Sequence, residues 1–316
     1  METTIVLLII GLIVLIVGGD YLVRGSSSIA LRLRLSPLVV GLTIVAFGTS
    51  APELLISIQS ALKGSPDIVM GNVVGSNITN LALVLGLTAV VNPVKVQLNS
   101  IRVDWPMTMG SSILLYLVII KGYIMSYEGI LFVLIIVTYL FLIIRQSRKD
   151  VIATKRTLDK EEIPDAPPKQ IWKDLVFIVI GCVGLYFGSE WFVNSAKDLA
   201  LSFGIEERVI GLTIVAIGTS LPELVTAIVA SYKGHTELAL GNLMGSNIFN
   251  ILSILGITSI IREIHVHIDI INKDIIWMML ITLMTLPLMI MRREVGRVDG
   301  FILLIVYAVY IYTVVV

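Results

Sequence analysis

Residues 41–86 of this chain, GLTIVAFGTSAPELLISIQSALKGSPDIVMGNVVGSNITNLALVLG, recur as residues 211–256, GLTIVAIGTSLPELVTAIVASYKGHTELALGNLMGSNIFNILSILG. The offset is 170 residues without a gap, and 24 of the 46 aligned positions are identical. The identities are mostly Gly, Thr, Ser, Pro, Glu and Asn within apolar segments, where polar groups are costly and usually functional. Such polar, helix-breaking motifs, duplicated in two hydrophobic halves, predict a transport site at the repeat interface.

The composition is that of a membrane protein. Of 316 residues, 56% are hydrophobic and only 15% are charged, and the mean hydropathy is +0.95. Several apolar runs are long enough to cross a bilayer. The sequence predicts ten spans, at residues 3–23, 37–62, 67–91, 103–121, 126–145, 173–195, 207–232, 237–261, 272–290 and 299–316.

These spans divide the chain into two halves. Residues 1–145 form the first five-helix repeat, residues 146–172 a polar linker, and residues 173–316 the second repeat. Because five is odd, the second half must enter the membrane from the opposite side, which makes the repeats inverted. Asp20 aligns with Glu190 at the same offset. Both lie near predicted span ends, where placement at the membrane interface is a simpler interpretation than a function in ion entry.

The distribution of basic residues predicts the orientation. With the N-terminus outside, 17 of the 23 Lys and Arg residues fall on the cytoplasmic side, which is a strong positive-inside bias. Both termini are then outside and the linker 146–172 is cytoplasmic. In a prokaryote the corresponding location is the cytoplasmic membrane.

The first repeated motif is GTSAPE. A proline within a helix removes a backbone donor, so Pro52 leaves preceding carbonyl groups without partners, and a bound cation would supply one. Thr49 and Ser50 precede Glu53 by four and three residues, which predicts hydroxyls and carboxylate on one helix face. The second copy contributes Thr219, Ser220, Pro222 and Glu223.

The second repeated motif is GNxxGSN followed by a further Asn. Asn72, Ser76 and Asn80 recur every four residues and predict a polar stripe along the third span. The counterparts in the eighth span are Asn242, Ser246 and Asn250.

Together the motifs predict an oxygen-only cation site. Hard oxygen donors suit sodium, calcium or magnesium, and calcium is preferred because magnesium is dehydrated reluctantly. The charge of −2 on Glu53 and Glu223 would neutralise one divalent ion or two monovalent ions. Neither a nucleotide-binding motif nor a cofactor-binding motif is present, so sodium and calcium are the expected partners, without nucleic acid or cofactor.

The two motifs closely resemble the alpha repeats of the sodium/calcium exchanger family, in its prokaryotic ten-helix branch. This resemblance implies an all-α fold in which helices two, three, seven and eight hold the ions and helices one and six slide across them. It also implies the ion ligands, namely Glu53, Glu223, Thr49, Thr219, Ser50, Ser220, Ser76, Ser246, Asn80, Asn250 and the backbone carbonyls of Ala46 and Ala216.

One position varies among members of the family. Several exchangers, including potassium-dependent ones, carry Asp where this chain has Asn250, whereas others carry Asn in both repeats. The Asn250 side chain leaves a core charge of −2 rather than −3. The change does not exclude calcium exchange, and the absence of a third charge disfavours potassium co-transport without fixing the coupling stoichiometry.

The predicted function is sodium/calcium antiport by alternating access, by a protein that functions as a monomer and is not an enzyme. A calcium/proton antiporter could use the same two glutamates, although protons would not need the Ser and Thr oxygens. A passive cation channel would favour a ring of subunits over inverted repeats. A hydrolase with Ser50 or Ser220 as nucleophile is disfavoured, since the histidines fall in loops and no lysine falls in a span.

Overall fold

The computed structural model describes residues 2–157, 171–203 and 216–315 of the chain. The start of the predicted seventh span and the middle of the predicted linker lie outside these residues. The first half contains α1 (Glu2–Leu33), α2 (Pro37–Val40), π1 (Gly41–Val45), α3 (Ala46–Thr49), α4 (Ala51–Leu62), α5 (Pro66–Ile78), π2 (Thr79–Val84), α6 (Leu85–Val91), β1 (Val94–Lys95), π3 (Ser100–Asp104), α7 (Trp105–Ile119), β2 (Tyr123–Ile124) and α8 (Ser126–Thr157). The second half contains α9 (Ile171–Ser202), α10 (Ala216–Gly218), α11 (Leu221–Tyr232), α12 (Thr236–Phe249), π4 (Asn250–Leu255), α13 (Gly256–Ile261), β3 (Ile264–His265), π5 (Ile270–Asp274), α14 (Ile275–Arg292), β4 (Glu294–Val295) and α15 (Arg297–Val315).

Seven helices of the described chain are long and apolar enough to cross a membrane, and a bent pair makes an eighth. The bent pair joins residues 37–49 to residues 51–62 at an angle of 44°. Of the two remaining predicted spans, residues 103–121 are largely helical, and the start of 207–232 lies outside the described residues. The protein is therefore an all-helical, multi-pass membrane protein, and the ten-span count stays a prediction.

Two helical segments form the centre of the molecule. The central segments are residues 66–91 (α5, π2 and α6) and residues 236–261 (α12, π4 and α13). In an apolar 18-residue stretch of each, 78% of the residues are buried within the protein, against 17% in such a stretch of α9. The central segments carry the Asn and Ser motifs, so the polar stripes face protein rather than lipid. Two pairs of short antiparallel strands, β1 with β4 and β2 with β3, tie loops of one half to loops of the other.

Helices α1 and α9 pack against each other along most of their length. A Cβ atom placed on Gly181 of α9 would lie 2.6 Å from the backbone nitrogen of Leu22 in α1. Small residues permit this close approach of two backbones in a membrane. A buried ion pair between Arg32 and Asp174 joins the same two helices near one end. The two helices therefore form one paired unit beside the central segments.

Several helices extend beyond the predicted spans. Helix α1 continues to Leu33 rather than ending near residue 23, and α8 continues to Thr157 rather than residue 145. The added residues mix basic and small polar residues with apolar ones, and many of them are good helix formers. Hydropathy marks only the portion in the hydrocarbon layer, so it underestimates helix length.

Candidate ion-binding site

Each glutamate of the repeated motif lies in the first turn of a helix that follows a break. Helix α3 ends at Thr49 and α4 begins at Ala51, because Ser50 adopts φ −85° and ψ 2°. Ser220 makes the corresponding break at φ −91° and ψ 8°. Glu53 and Glu223 thus occupy the first turns of α4 and α11, where the positive end of the helix dipole favours a carboxylate.

Both carboxyl groups are buried and largely unpartnered. Glu53 and Glu223 are each 1% exposed. Among the described residues, neither oxygen of Glu53 has a hydrogen-bond partner, and Oε2 of Glu223 also lacks one. A buried carboxylate without a partner carries a large desolvation penalty. The pair is therefore stable only when a proton or a cation neutralises it.

The hydroxyls of the first GTSxPE motif contact the second repeat. Ser50 Oγ donates to Glu223 Oε1 at 3.3 Å. Thr49 Oγ1 lies 3.1 Å from Asn242 Oδ1 and 3.4 Å from Ser246 Oγ. Thr49 and Ser50 therefore stand at the break before α4, and their hydroxyls contact groups of the second repeat. That they share a face with Glu53 stays a prediction.

Asparagines join the two central segments in a reciprocal arrangement. Asn77 Nδ2 donates to the carbonyl of Asn247 at 3.2 Å, and Asn247 Nδ2 donates to the carbonyl of Asn77 at the same distance. Asn80 Nδ2 donates to Asn247 Oδ1 at 3.1 Å, and Asn250 Nδ2 to Asn77 Oδ1 at 3.0 Å. The amide oxygens of Asn80 and Asn250 are buried without a partner among the described residues. They are thus available to a cation.

The polar stripe of the third span is interrupted. Helix α5 gives way to the π-helix π2 at Thr79, so Asn80 faces the second repeat. Asn72 instead faces α4, where its Nδ2 donates to the carbonyl of Glu53 at 3.3 Å and to Ser57 Oγ at 3.1 Å. Ser76 Oγ donates to the carbonyl of Asn72 at 2.5 Å. A strict four-residue spacing therefore does not describe the whole motif.

The other predicted ligands have varied surroundings. Ser220 is buried and its hydroxyl has no partner in the described part of the chain. The carbonyl of Ala46 already accepts bonds from the Ser50 amide at 2.9 Å and from Thr49 Oγ1 at 3.3 Å. Thr219 is half-buried in the turn before α11. The side chain of Ala216 lies outside the described portion, although its backbone begins α10.

Residues outside the predicted ligand set hold this site together. Asn77 and Asn247 form the clasp between the central segments, and Asn72 and Asn242 bind backbone and hydroxyl groups of the bent helices. All four belong to the duplicated motif. The sequence could have pointed to them, because the same asparagines occur in both copies of the motif. Spacing alone, however, does not distinguish a ligand from a residue that positions ligands.

Replacing Asn77 with Ala should destabilise the protein by about 1–3 kcal/mol. The substitution removes two buried hydrogen bonds and leaves the Asn250 amide and the Asn247 carbonyl unpaired. Thermal unfolding in detergent measures the effect. Thr88→Val is the matched control on α6, since the Thr88 hydroxyl is buried without a partner among the described residues. Equal melting temperatures for the two variants would contradict a stabilising clasp.

The oxygen donors suit a hard cation. The unpartnered oxygens belong to carboxylates, amides and a hydroxyl, and calcium and sodium are bound by such groups. The two carboxylates match the charge of one calcium ion. The arrangement can therefore bind a metal cation as a transported substrate.

Known proteins resemble this chain over nearly its whole length. A family model described as sodium/calcium exchanger protein matches residues 3–145 and 173–316. The putative antiporter CaxA of Alkalimonas amylolytica is 39% identical over 315 residues, covering 97% of both chains. The sodium/calcium exchanger MaX1 of Methanosarcina acetivorans is 32% identical over an alignment of 337 positions, covering 96% of both.

A solved structure gives the same result in three dimensions. The sodium-calcium exchanger NCX_Mj, soaked with 2.5 mM Na+ and 0.1 mM Ca2+, matches with a TM-score of 0.82 at 30% identity, covering 98% of both chains. The expected resemblance is thus confirmed in sequence and in fold. The protein is a transporter of the cation/calcium antiport class, and the chain belongs to the sodium/calcium exchanger family.

Proposed function

We propose that this protein exchanges sodium for calcium across the membrane by alternating access. The observation that carries the proposal is the pair of buried carboxyl groups, Glu53 and Glu223, whose oxygens are largely unpartnered. One calcium ion or two sodium ions would neutralise them. Binding of one kind of ion therefore excludes the other, and this competition couples the two fluxes.

Only the site with neutralised carboxylates can switch its opening from one side of the membrane to the other. Exposed carboxylates would be costly to move along an apolar path. The empty site consequently resists the transition, whereas the calcium-loaded and sodium-loaded sites permit it. This rule produces exchange rather than leak, without covalent chemistry or a cofactor.

The predicted ligands supply the remaining oxygens. In addition to the carboxylates, we assign Thr49, Ser50, Ser76 and Asn80 and their counterparts Thr219, Ser220, Ser246 and Asn250 to the ion sites. The carbonyls of Ala46 and Ala216 complete the assignment. The free amide oxygens of Asn80 and Asn250 support a metal ion rather than a proton alone, since a proton needs only the carboxylates.

The proposed architecture is two inverted five-helix repeats, residues 1–145 and 173–316, joined by the linker 146–172. Support comes from the reciprocal bonds between Asn77 and Asn247, which are the pattern expected about a two-fold axis. The excess of basic residues on one side supports a cytoplasmic linker and external termini. We propose the cytoplasmic membrane as the location and a monomer as the functional unit, since both carboxylates come from one chain.

Calcium uptake into proteoliposomes tests the proposal. Vesicles are loaded with sodium, potassium or choline, and uptake of radioactive calcium is followed after dilution into sodium-free buffer. We expect uptake only from sodium-loaded vesicles, unaffected by a protonophore. Uptake driven by a proton gradient without sodium would indicate the calcium/proton antiporter, and uptake without any counter-ion would indicate a channel.

Replacing Asn250 with Asp should change ion selectivity more than it changes stability. The substitution keeps the size of the side chain and adds a negative charge, so the core charge becomes −3 when ionised. A third monovalent cation would then be favoured at the site. We expect a dependence of exchange on potassium or on additional sodium, measured in the same uptake assay. Unchanged sodium and potassium dependence would show that position 250 does not set selectivity.

A further inference from the structure

An ion pair links α1 to the end of α11. Lys233, the residue after α11, contacts Asp20 of α1. Asp20 is also paired with Arg24 one turn later, at 2.7 Å. The Asp20 and Lys233 side chains are both 28% exposed. None of these residues belongs to the ion site described above.

The repeat places a second acid and a second lysine at equivalent positions. Glu190 of α9 corresponds to Asp20, and Lys63 after α4 corresponds to Lys233. The two lysines have the same local backbone, with φ and ψ of −76° and −6° at Lys63 and of −79° and 4° at Lys233. However, within the described residues no ion pair joins Glu190 to Lys63, although Lys63 and Lys233 are both exposed residues. Local geometry therefore does not explain the difference.

The packing of the neighbouring helices explains why Asp20 is paired with Lys233 and Glu190 is not paired with Lys63. Helix α1 covers α11, because a Cβ atom on Gly19 would lie 3.1 Å from Val225 Cγ1. Val225 is half-buried and Thr226 is 0% exposed. At the equivalent positions of α4, Leu55 is 52% exposed and Ile56 is 38% exposed. Thus α11 is covered on this face, and α4 is not.

We propose that the two acid–lysine pairs are alternate latches that position the α1–α9 unit on either side of the transport cycle. Asp20–Lys233 stabilises the present state, in which α1 covers α11. Glu190–Lys63 forms in the opposite state, in which α9 covers Leu55 and Ile56 of α4. The inference rests on the proposed alternating-access function and adds the residues that set the balance between its two states.

The proposal explains why both acids occupy equivalent positions on paired helices. Because α1 and α9 are joined through Gly181 and the Arg32–Asp174 pair, they would move together. One movement could then break the first latch and form the second. Because one ion pair replaces a similar one, the two states differ little in free energy. This suits a transporter that must populate both states.

Thiol labelling of a covered position tests the latches. The background is Cys182→Ala, and the reporter is Val225→Cys, which is partly covered by α1 in the present state and should be more accessible in the opposite one. Its rate of reaction with a maleimide in detergent with saturating sodium therefore follows the population of the opposite state. Leu55→Cys is the complementary reporter, exposed in the present state.

The two acids should have opposite effects. Asp20→Asn should raise the labelling rate of Val225→Cys by about two- to fivefold, the range expected for a partly exposed ion pair. Glu190→Gln should lower it by a similar factor. Leu55→Cys should react more slowly when combined with Asp20→Asn. The exchanged pair Asp20→Lys with Lys233→Asp should restore the original rate.

If the two ion pairs only stabilised the fold, the two acid substitutions would not change the labelling rate in opposite directions. Changes in the same direction, or no change in either variant, would overturn the latches. The underlying exchanger is judged separately by sodium-driven calcium uptake of the unmodified protein. Failure of that uptake counts against the proposed function, whereas normal uptake with no opposite shifts counts against the latches alone.

Discussion

Calcium uptake should fall about 100-fold or more when Glu53 is replaced with Gln. The variant keeps the shape of the side chain but removes one of two negative charges, and one charge pair at about 4 Å is worth about 4 kcal/mol at the effective dielectric of a protein. Glu223→Gln should have the same effect. The measurement is sodium-dependent uptake of radioactive calcium by proteoliposomes.

The same variant should fold normally. Neither oxygen of Glu53 has a partner among the described residues, so the amide removes an unpaired buried charge without breaking a hydrogen bond. We expect a melting temperature in calcium-free detergent equal to or above that of the unmodified protein. Calcium should raise the melting temperature of the unmodified protein, because it binds the folded state, but should not raise that of Glu53→Gln.

A second carboxylate serves as the control for these measurements. Glu237 lies in the first turn of α12, as Glu53 lies in the first turn of α4, but it is not among the oxygens assigned to the ions. Glu237→Gln should retain uptake and calcium-induced stabilisation. Normal transport by Glu53→Gln, or equal losses in Glu53→Gln and Glu237→Gln, would disprove the assignment of the site.

The second large effect is expected at Gly241, where α12 packs against the first half of the bent helix. A Cβ atom at this position would lie 2.3 Å from the carbonyl oxygen of Leu38 and 3.1 Å from the nitrogen of Leu42. These are backbone atoms, so Gly241→Ala must displace one helix from the other. We expect destabilisation of about 1–3 kcal/mol or more, measured by thermal unfolding in detergent.

Gly71 is the equivalent residue of the first repeat and provides a matched control. It is exposed, and among the described residues no atom outside its chain neighbours and the backbone of its own helix lies within 4 Å of a Cβ placed there. Gly71→Ala should therefore cost little stability, and its higher helix propensity offsets part of any cost. Similar melting temperatures for Gly71→Ala and Gly241→Ala would contradict the difference in packing between the two copies.

The contrast between Gly71 and Gly241 shows that the repeat in the sequence does not predict how equivalent residues are packed. Both residues begin the same GNxxGSN motif, and the repeat predicts the same environment for each. The structure separates them, because a chain of two similar halves adopts one conformation at a time, and that conformation need not be symmetric. The exposed Leu55 and the covered Val225 differ for the same reason.

The site shows which parts of a motif can be interpreted from spacing. The sequence identified Glu53 and Glu223, and the structure places both in buried first turns of helices after a break. Spacing did not reveal the helix break at Ser50, nor that the Ser50 hydroxyl contacts Glu223 of the other repeat. Motif spacing also did not distinguish Asn77, which forms hydrogen bonds with the other repeat, from the predicted ion ligands.

The sequence by itself determined the membrane-embedded helical class, the duplicated polar motifs and the resemblance to the exchanger family, which the related proteins confirm. These features depend on composition and on local periodicity, which a single chain displays directly. Only the tertiary structure decided which oxygens meet, such as Ser50 with Glu223, and which of two equivalent acids is paired. Such contacts join residues far apart in the chain, so they depend on how the helices pack rather than on any local pattern.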